Sequence, residues 1–90
     1  MSDGPGSVRE LRRKLRSYSH RLKTVRMILH SQLNDLTVLE LTYGTLASGS
    51  QRRDLHLVSI GILNGKTKLF QALHYVKTIE DQIARYEESL

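Results

Sequence analysis

The segment Gly61–Thr67, GILNGKT, ends in the Gly-Lys-Thr that closes many phosphate-binding loops. In such a loop the backbone N–H groups and the lysine hold nucleotide phosphates, and the hydroxyl binds Mg²⁺. That motif needs four residues between its glycines, a strand before it and a helix after it. Only three residues separate Gly61 from Gly65, and 90 residues are few for a layered nucleotide-hydrolysing fold. We therefore expect no nucleotide site here.

The histidines are the next candidates for chemistry, and none is three or four residues from another. That spacing is the one by which a single helix face presents two imidazoles to one metal. The chain has no cysteine, which excludes disulfides and thiolate ligands, and no pattern joins a nucleophile to a base. The sequence predicts a non-enzymatic protein with no metal, no cofactor and no small-molecule substrate. The four histidines are His20, His30, His56 and His74.

A basic segment, Arg9–Arg26, is the third chemical feature. Residues 1–30 carry eight Lys and Arg against two acidic residues, in a chain whose net charge is +5. On a helix, part of this segment forms a cationic outer face that could contact successive phosphates. The residues of this predicted polyanion-binding face are Arg9, Arg13, Arg16 and Lys23. Its alternatives are an anionic membrane surface, an acidic protein, or a solvated face that the acidic end of the chain partly neutralises.

Apolar residues spaced by threes and fours predict the helix that carries this basic face. Ser7 and Glu10 form a capping-box pattern that starts it. Written as heptads with Val8 at position a, the a and d positions are apolar over nearly six repeats, and Gln32 is the one polar exception. They are Val8, Leu11, Leu15, Tyr18, Leu22, Val25, Leu29, Leu36, Leu39, Tyr43 and Leu46. We expect a helix over about 8–46, with Gly44 as a possible earlier end.

The second half of the chain repeats the pattern after a flexible Ala-Ser-Gly-Ser linker. Gly65 and Ala72 are its two small d residues. Asn64-Gly65 also fits a β-hairpin turn, but the residues after it do not alternate. The other a and d residues are Leu55, Val58, Ile62, Leu69, Val76, Ile79, Ile83, Tyr86 and Leu90. Because this frame is unbroken, we favour a helix over about 54–89, in which the two glycines permit a close helix approach or a bend, or are merely tolerated.

Two such helices joined by a turn over about 47–53 predict an all-α, antiparallel, coiled-coil-like hairpin. Opposite charges at the two chain ends favour this pairing, with Arg12 and Glu87 as flanking partners at e positions. The whole of residues 7–90 would form one helical domain after a disordered lead over 1–6. In the alternative fold, the second helix breaks near Gly61–Gly65 and the chain forms a three-helix monomer.

A hairpin of this kind cannot bury all of its apolar residues, and we expect a partner. The partner is a second copy, which would complete a four-helix bundle, or another helical protein. The predicted interface is an apolar patch toward the turn, which acts together with the a and d residues. The residues of this patch are Ile28, Leu33, Val38, Leu41, Leu57, Ile60, Leu63, Phe70 and Leu73. The predicted function is a protein–protein interaction module: an oligomerising subunit, an adaptor or a small chaperone. A small nucleic-acid-binding protein that uses the basic face is the alternative.

The remaining composition is ordinary. No apolar run approaches the roughly 18 residues that a membrane span requires. The first six residues lack the basic and apolar regions of a secretory signal. A cytoplasmic location is the default expectation.

Overall fold

The chain folds into two long helices, which a computed structural model describes for residues 7–47 and 53–90. Helix α1 runs Val8–Ala47 and helix α2 runs Arg53–Ser89. They pack against each other as a hairpin, which confirms the predicted all-α fold, and the described residues contain no strand. Residues 1–6, where a disordered lead is predicted, and residues 48–52 of the predicted turn lie outside this description.

Ser7 begins α1 as its N-cap. Its hydroxyl oxygen accepts a hydrogen bond from the Glu10 backbone N–H at 3.3 Å, and its carbonyl accepts one from Leu11 at 3.0 Å. The Glu10 carboxylate pairs with Arg13 at 3.5 Å. One half of the predicted capping box is thus formed, and the glutamate contributes negative charge to the first turn, where the helix dipole favours it.

Helix α2 runs without interruption through Gly61 and Gly65, so the three-helix alternative is wrong. A Cβ on Gly65 would lie 3.2 Å from Leu36 Cδ1 of α1, whereas one on Gly61 would meet no atom within 4 Å. Gly65 therefore permits a close approach of the helices, and Gly61 is merely tolerated. The heptad pattern outweighs the roughly 1 kcal/mol that each glycine costs a helix relative to alanine.

Two interhelical ion pairs define the register of the hairpin. Arg26 Nε donates to Glu80 Oε1 at 3.0 Å, and Lys66 Nζ donates to Glu40 Oε1 at 3.1 Å. Two heptads separate Arg26 from Glu40 on α1, and two heptads separate Lys66 from Glu80 on α2. The helices therefore run antiparallel in one heptad register from the first pair to the second.

The seam between the helices differs from the predicted one. From Ser19 to Tyr43, the less exposed residues of α1 are those at a and e together with Thr37 at b, and the d residues are exposed. In α2 the a and e rows are again the less exposed, and the large d residues are exposed. Each helix is thus rotated by about 50°, half of the roughly 100° between successive residues, relative to an a/d seam. The charged pairs at e explain the rotation, since they attract across one side of the hairpin.

The result is a thin rod. Its Cα atoms extend over 74 × 17 × 14 Å with a radius of gyration of 20.5 Å, where a compact chain of this length has about 12 Å. Among the described residues only Ile62 and Val76, both at a positions of α2, are buried. Neither helix contains a stretch long and apolar enough to cross a membrane, as far as the described residues go.

Candidate interaction surfaces

One side of the hairpin, which we call the e side, is closed by paired charges. All four residues of the Arg26–Glu80 and Glu40–Lys66 pairs are at e positions and partly buried. Leu33 and Leu73 are also at e, midway between the pairs, and the register places them level with each other. A shallow depression here is lined in part by Arg26 and Phe70. The e side therefore holds the hairpin together through paired charges along its centre, while Leu63 and Phe70 beside it are each 56% exposed.

The opposite side, which we call the d face, is open and apolar. Around each helix, the a row lies between the d row and the e row. Because the e rows of the two helices meet on one side of the hairpin, both d rows lie on the opposite side. Tyr18 and Tyr86 are nearly level and are 50% and 51% exposed, and Val25 and Ile79, one heptad further along, are each 43% exposed. The d face consists of Tyr18, Val25, Gln32, Leu39, Val58, Gly65, Ala72, Ile79 and Tyr86.

The residues flanking the d face are at g positions of both helices. In α1 the described row includes Arg21, Ile28 and Asp35, all exposed. In α2 it includes Lys68 and Tyr75, which are exposed as well. Neither Arg21, Asp35 nor Lys68 has an ion-pair partner within the described hairpin. The d face is thus an apolar strip between unpaired charges of both signs.

The predicted interface residues do not form one patch. Ile28 flanks the d face, whereas Leu33, Leu63, Phe70 and Leu73 lie on or beside the e side. The other four are exposed on the outer backs of the helices: Val38, Leu41, Leu57 and Ile60. Their contact with a partner stays a prediction, and the structure separates them into three surfaces where sequence reasoning grouped them by closeness to the turn.

Sequence reasoning missed the d face because its residues were assigned to the seam between the helices. A signal was present at the e positions. Arg26 and Glu40 in α1 match Glu80 and Lys66 in α2 with opposite sign and equal spacing. Buried or half-buried e pairs of this kind favour an a/e seam, and an a/e seam exposes d.

The basic cluster lies at the free end of the hairpin, where α1 begins and α2 ends. Arg9, Arg12, Arg13 and Arg16 line a single shallow depression, and Lys23 is exposed further along α1. In the observed register Leu90 is level with Arg16. The first two turns of α1 therefore have no part of α2 opposite them.

The predicted pairing of Arg12 with Glu87 is wrong. No ion pair joins these two described residues, and Glu87 lies level with Ser19, one heptad away from the predicted partner. The register that pairs Arg26 with Glu80 moves the acidic end of α2 toward the middle of the hairpin. Of the basic cluster, Arg13 alone has a charged partner among the described residues, and that partner is Glu10 in the same helix.

The hydroxyl and imidazole groups show no catalytic arrangement within the described residues. Thr24, Thr37 and Thr42 donate to the carbonyl four residues earlier in their own helix, and the same bond recurs at Thr45, Ser59, Thr67 and Thr78. Such back-bonding occupies the hydroxyl proton. No group of three or more His, Asp or Glu in residues 7–47 and 53–90 is placed to hold a metal ion.

Comparison with known proteins does not indicate a function for this chain. No protein-family model matches the sequence, and neither a curated protein nor a solved structure is significantly similar to it. The surfaces described above are therefore the basis on which a function is assigned.

Proposed function

We propose that this chain is a non-enzymatic association module whose d face binds a helical surface. The observation that supports it is the matched exposure of apolar residues on one side of both helices, illustrated by Tyr18 with Tyr86 and Val25 with Ile79. Exposed apolar surface that is contiguous and bordered by polar residues is characteristic of interaction sites. An oligomerising subunit, an adaptor and a small chaperone would all use such a surface.

The total exposed area supports the same proposal. A compact monomer of this mass, 10.3 kDa, exposes about 5,400 Å². The chain exposes 7163 Å². The excess of roughly 1,800 Å² is comparable to the total area buried in a standard protein–protein interface.

The proposal is tested by three double variants, each of which replaces two apolar side chains by serine. Val25→Ser with Ile79→Ser removes apolar contacts from the d face, and Leu41→Ser with Leu57→Ser makes the same chemical change on the outer backs. Leu63→Ser with Phe70→Ser alters the predicted interface beside the e side. We expect the d-face variant alone to lose the association that the wild type shows, either with itself in sedimentation or with proteins recovered by tagged purification.

Circular dichroism controls for the fold of each variant. Association that survives the d-face change and is lost with Leu63→Ser and Phe70→Ser would move the site to the e side and overturn the d-face assignment. A wild type that stays monomeric at every concentration, and recovers no protein that the d-face variant loses, would refute the association function itself.

The arginine cluster favours a second candidate, binding to nucleic acid. Arg9, Arg12 and Arg16 converge on one depression and have no ion-pair partner within the described residues. Arginine groups of this kind contact phosphates, and such binding weakens steeply as salt rises. Arg9→Gln with Arg16→Gln should weaken RNA or DNA binding at low salt, while Lys68→Gln, on the other half of the hairpin, should not. No binding by the wild type at low salt would exclude this candidate.

A further inference from the structure

We propose that the occupant of the d face is a second copy of this chain, stacked so that the two connected ends, where α1 passes into α2, lie at opposite ends of a four-helix bundle. This inference rests on the proposed association function and specifies its partner. In this arrangement α1 lies along α1 of the partner copy and α2 along α2, each antiparallel, about a twofold axis across the middle of the rod.

The sizes of the d residues favour this orientation. At the free end the d layer is large, with Tyr18 level with Tyr86. At the connected end it includes Leu39 level with Gly65, and the layers between are Val25 with Ile79 and Gln32 with Ala72. Stacking with connected ends opposed instead places Tyr18 of one copy near Leu39 of the other and Tyr86 near Ala72 and Gly65, so that the tyrosine layers do not meet. Stacking with connected ends together would crowd four tyrosines at one end, and cores do not tolerate such overpacking.

The charges at the flanks fit the same twofold axis. Arg21 and Asp35 lie one heptad on either side of Ile28, so an antiparallel α1–α1 contact centred on Ile28 brings each Arg21 to the Asp35 of the other copy. Both side chains are exposed and unpaired in the single hairpin. The contact therefore gains two ion pairs and an Ile28–Ile28 contact at the axis. On α2, the g residues of the other copy nearest to Lys68, which are Gln82 and Ser89, are both neutral.

The exposed area of one copy is large enough for a stable dimer. If each copy hid its excess of roughly 1,800 Å², the interface would bury about 3,600 Å² in total, within the range of about 2,000–5,000 Å² of obligate homodimers. In a twofold dimer of this kind, both copies contribute the same surface, the d face, to the contact.

Charge substitutions distinguish this arrangement from the alternative in which the two connected ends lie together. With connected ends together, Asp35 would meet Lys68 of the other copy in place of Arg21. In the proposed dimer, Arg21→Glu should raise the dissociation constant about tenfold, since it affects two symmetric pairs. Arg21→Glu combined with Asp35→Lys should return it to within about threefold of wild type, and Lys68→Glu should leave it nearly unchanged. Sedimentation equilibrium over a range of concentrations measures all four proteins.

Disulfide formation tests the axis directly, because the natural chain has no cysteine. A disulfide needs Cα atoms within about 7 Å. Ile28→Cys lies at the proposed axis and should form a covalent dimer on mild oxidation. Leu41→Cys, an equally exposed position on the outer back, should not do so under the same conditions.

The failures of this inference and of the proposed function differ. A dimer that Lys68→Glu weakens and Arg21→Glu does not, without an Ile28→Cys disulfide, overturns the opposed arrangement and leaves association through the d face intact. A chain that stays monomeric while a different protein requires Val25 and Ile79 for binding overturns the second copy as occupant. Dimerisation, the Arg21–Asp35 rescue and the Ile28→Cys disulfide together support the proposal.

Discussion

Arg26 on α1 donates to Glu80 on α2 at 3.0 Å, across 54 positions of the sequence, and the pair is partly buried between the helices. The carboxylate of Glu80 is the less exposed member, at 23% against 38% for Arg26. Together with Glu40 and Lys66, the pair holds the register from which every surface assignment above follows.

Removing the charge of Glu80 should destabilise the hairpin. Glu80→Gln leaves the Arg26 guanidinium half-buried without its partner, so we expect the free energy of unfolding to fall by about 0.5–1 kcal/mol. The swapped pair, Arg26→Glu with Glu80→Arg, should recover most of the loss. Urea unfolding followed by circular dichroism measures both. Equal stability of wild type and Glu80→Gln would mean that the pair does not stabilise the register.

The two-residue core of α2 should respond strongly to truncation. Ile62 is buried and Ile60, two residues away on the outer back, is 42% exposed. Ile62→Ala should cost about 2 kcal/mol, at the low end of core truncations because the rod is thin. Ile60→Ala should change the unfolding free energy by less than about 0.5 kcal/mol. Similar losses at the two positions would contradict the burial of Ile62 between the helices.

The two glycines of α2 should differ when replaced by alanine. Gly61→Ala places its methyl group in open space and should stabilise the helix by about 0.5–1 kcal/mol. Gly65→Ala gains the same helix propensity but must displace Leu36 Cδ1 by a few tenths of an ångström, so its gain should be smaller or reversed. Thermal unfolding of both variants gives the difference. A larger gain at Gly65 than at Gly61 would be inconsistent with a close approach there.

Ser7 should be replaceable by aspartate and not by alanine. Its hydroxyl oxygen accepts the Glu10 N–H at the start of α1. Ser7→Ala leaves that group without a side-chain acceptor and should cost about 1 kcal/mol, whereas Ser7→Asp should keep or improve stability. Chemical denaturation compares the three proteins, and an unchanged Ser7→Ala midpoint would show that the cap contributes nothing.

The hairpin was predictable from the sequence because the apolar positions persist through both halves in one heptad frame. The rotation of the helices was not predictable from that frame alone. Apolar residues at a and d attract a neighbour from either side, and charged residues at e, such as Arg26 and Lys66, usually indicate solvent. The observed seam instead buries them in pairs.

The register was mispredicted by one heptad for a related reason. In the predicted register Arg12 meets Glu87, but Arg26 would then meet Leu73 and Lys66 would meet Leu33. The observed register pairs charge with charge and leucine with leucine at successive e layers. The order of residue types along the e rows determines the register, and one attractive surface pair does not.

The interhelical contacts of an antiparallel hairpin also form in a preferred order along the helices. Contacts near the connected end join residues close in sequence, such as Glu40 and Lys66, and those at the free end join residues nearly a chain length apart. Since the cost of closing a loop rises with its length, the hairpin should zip from the connected end, with Arg26–Glu80 forming after Glu40–Lys66. The free end closes last and opens first, and that end holds Tyr18, Tyr86 and the arginine cluster. A second copy on the d face would place its connected end there. The free end of each hairpin, which opens first, would then be stabilised by contact with the connected end of the other copy.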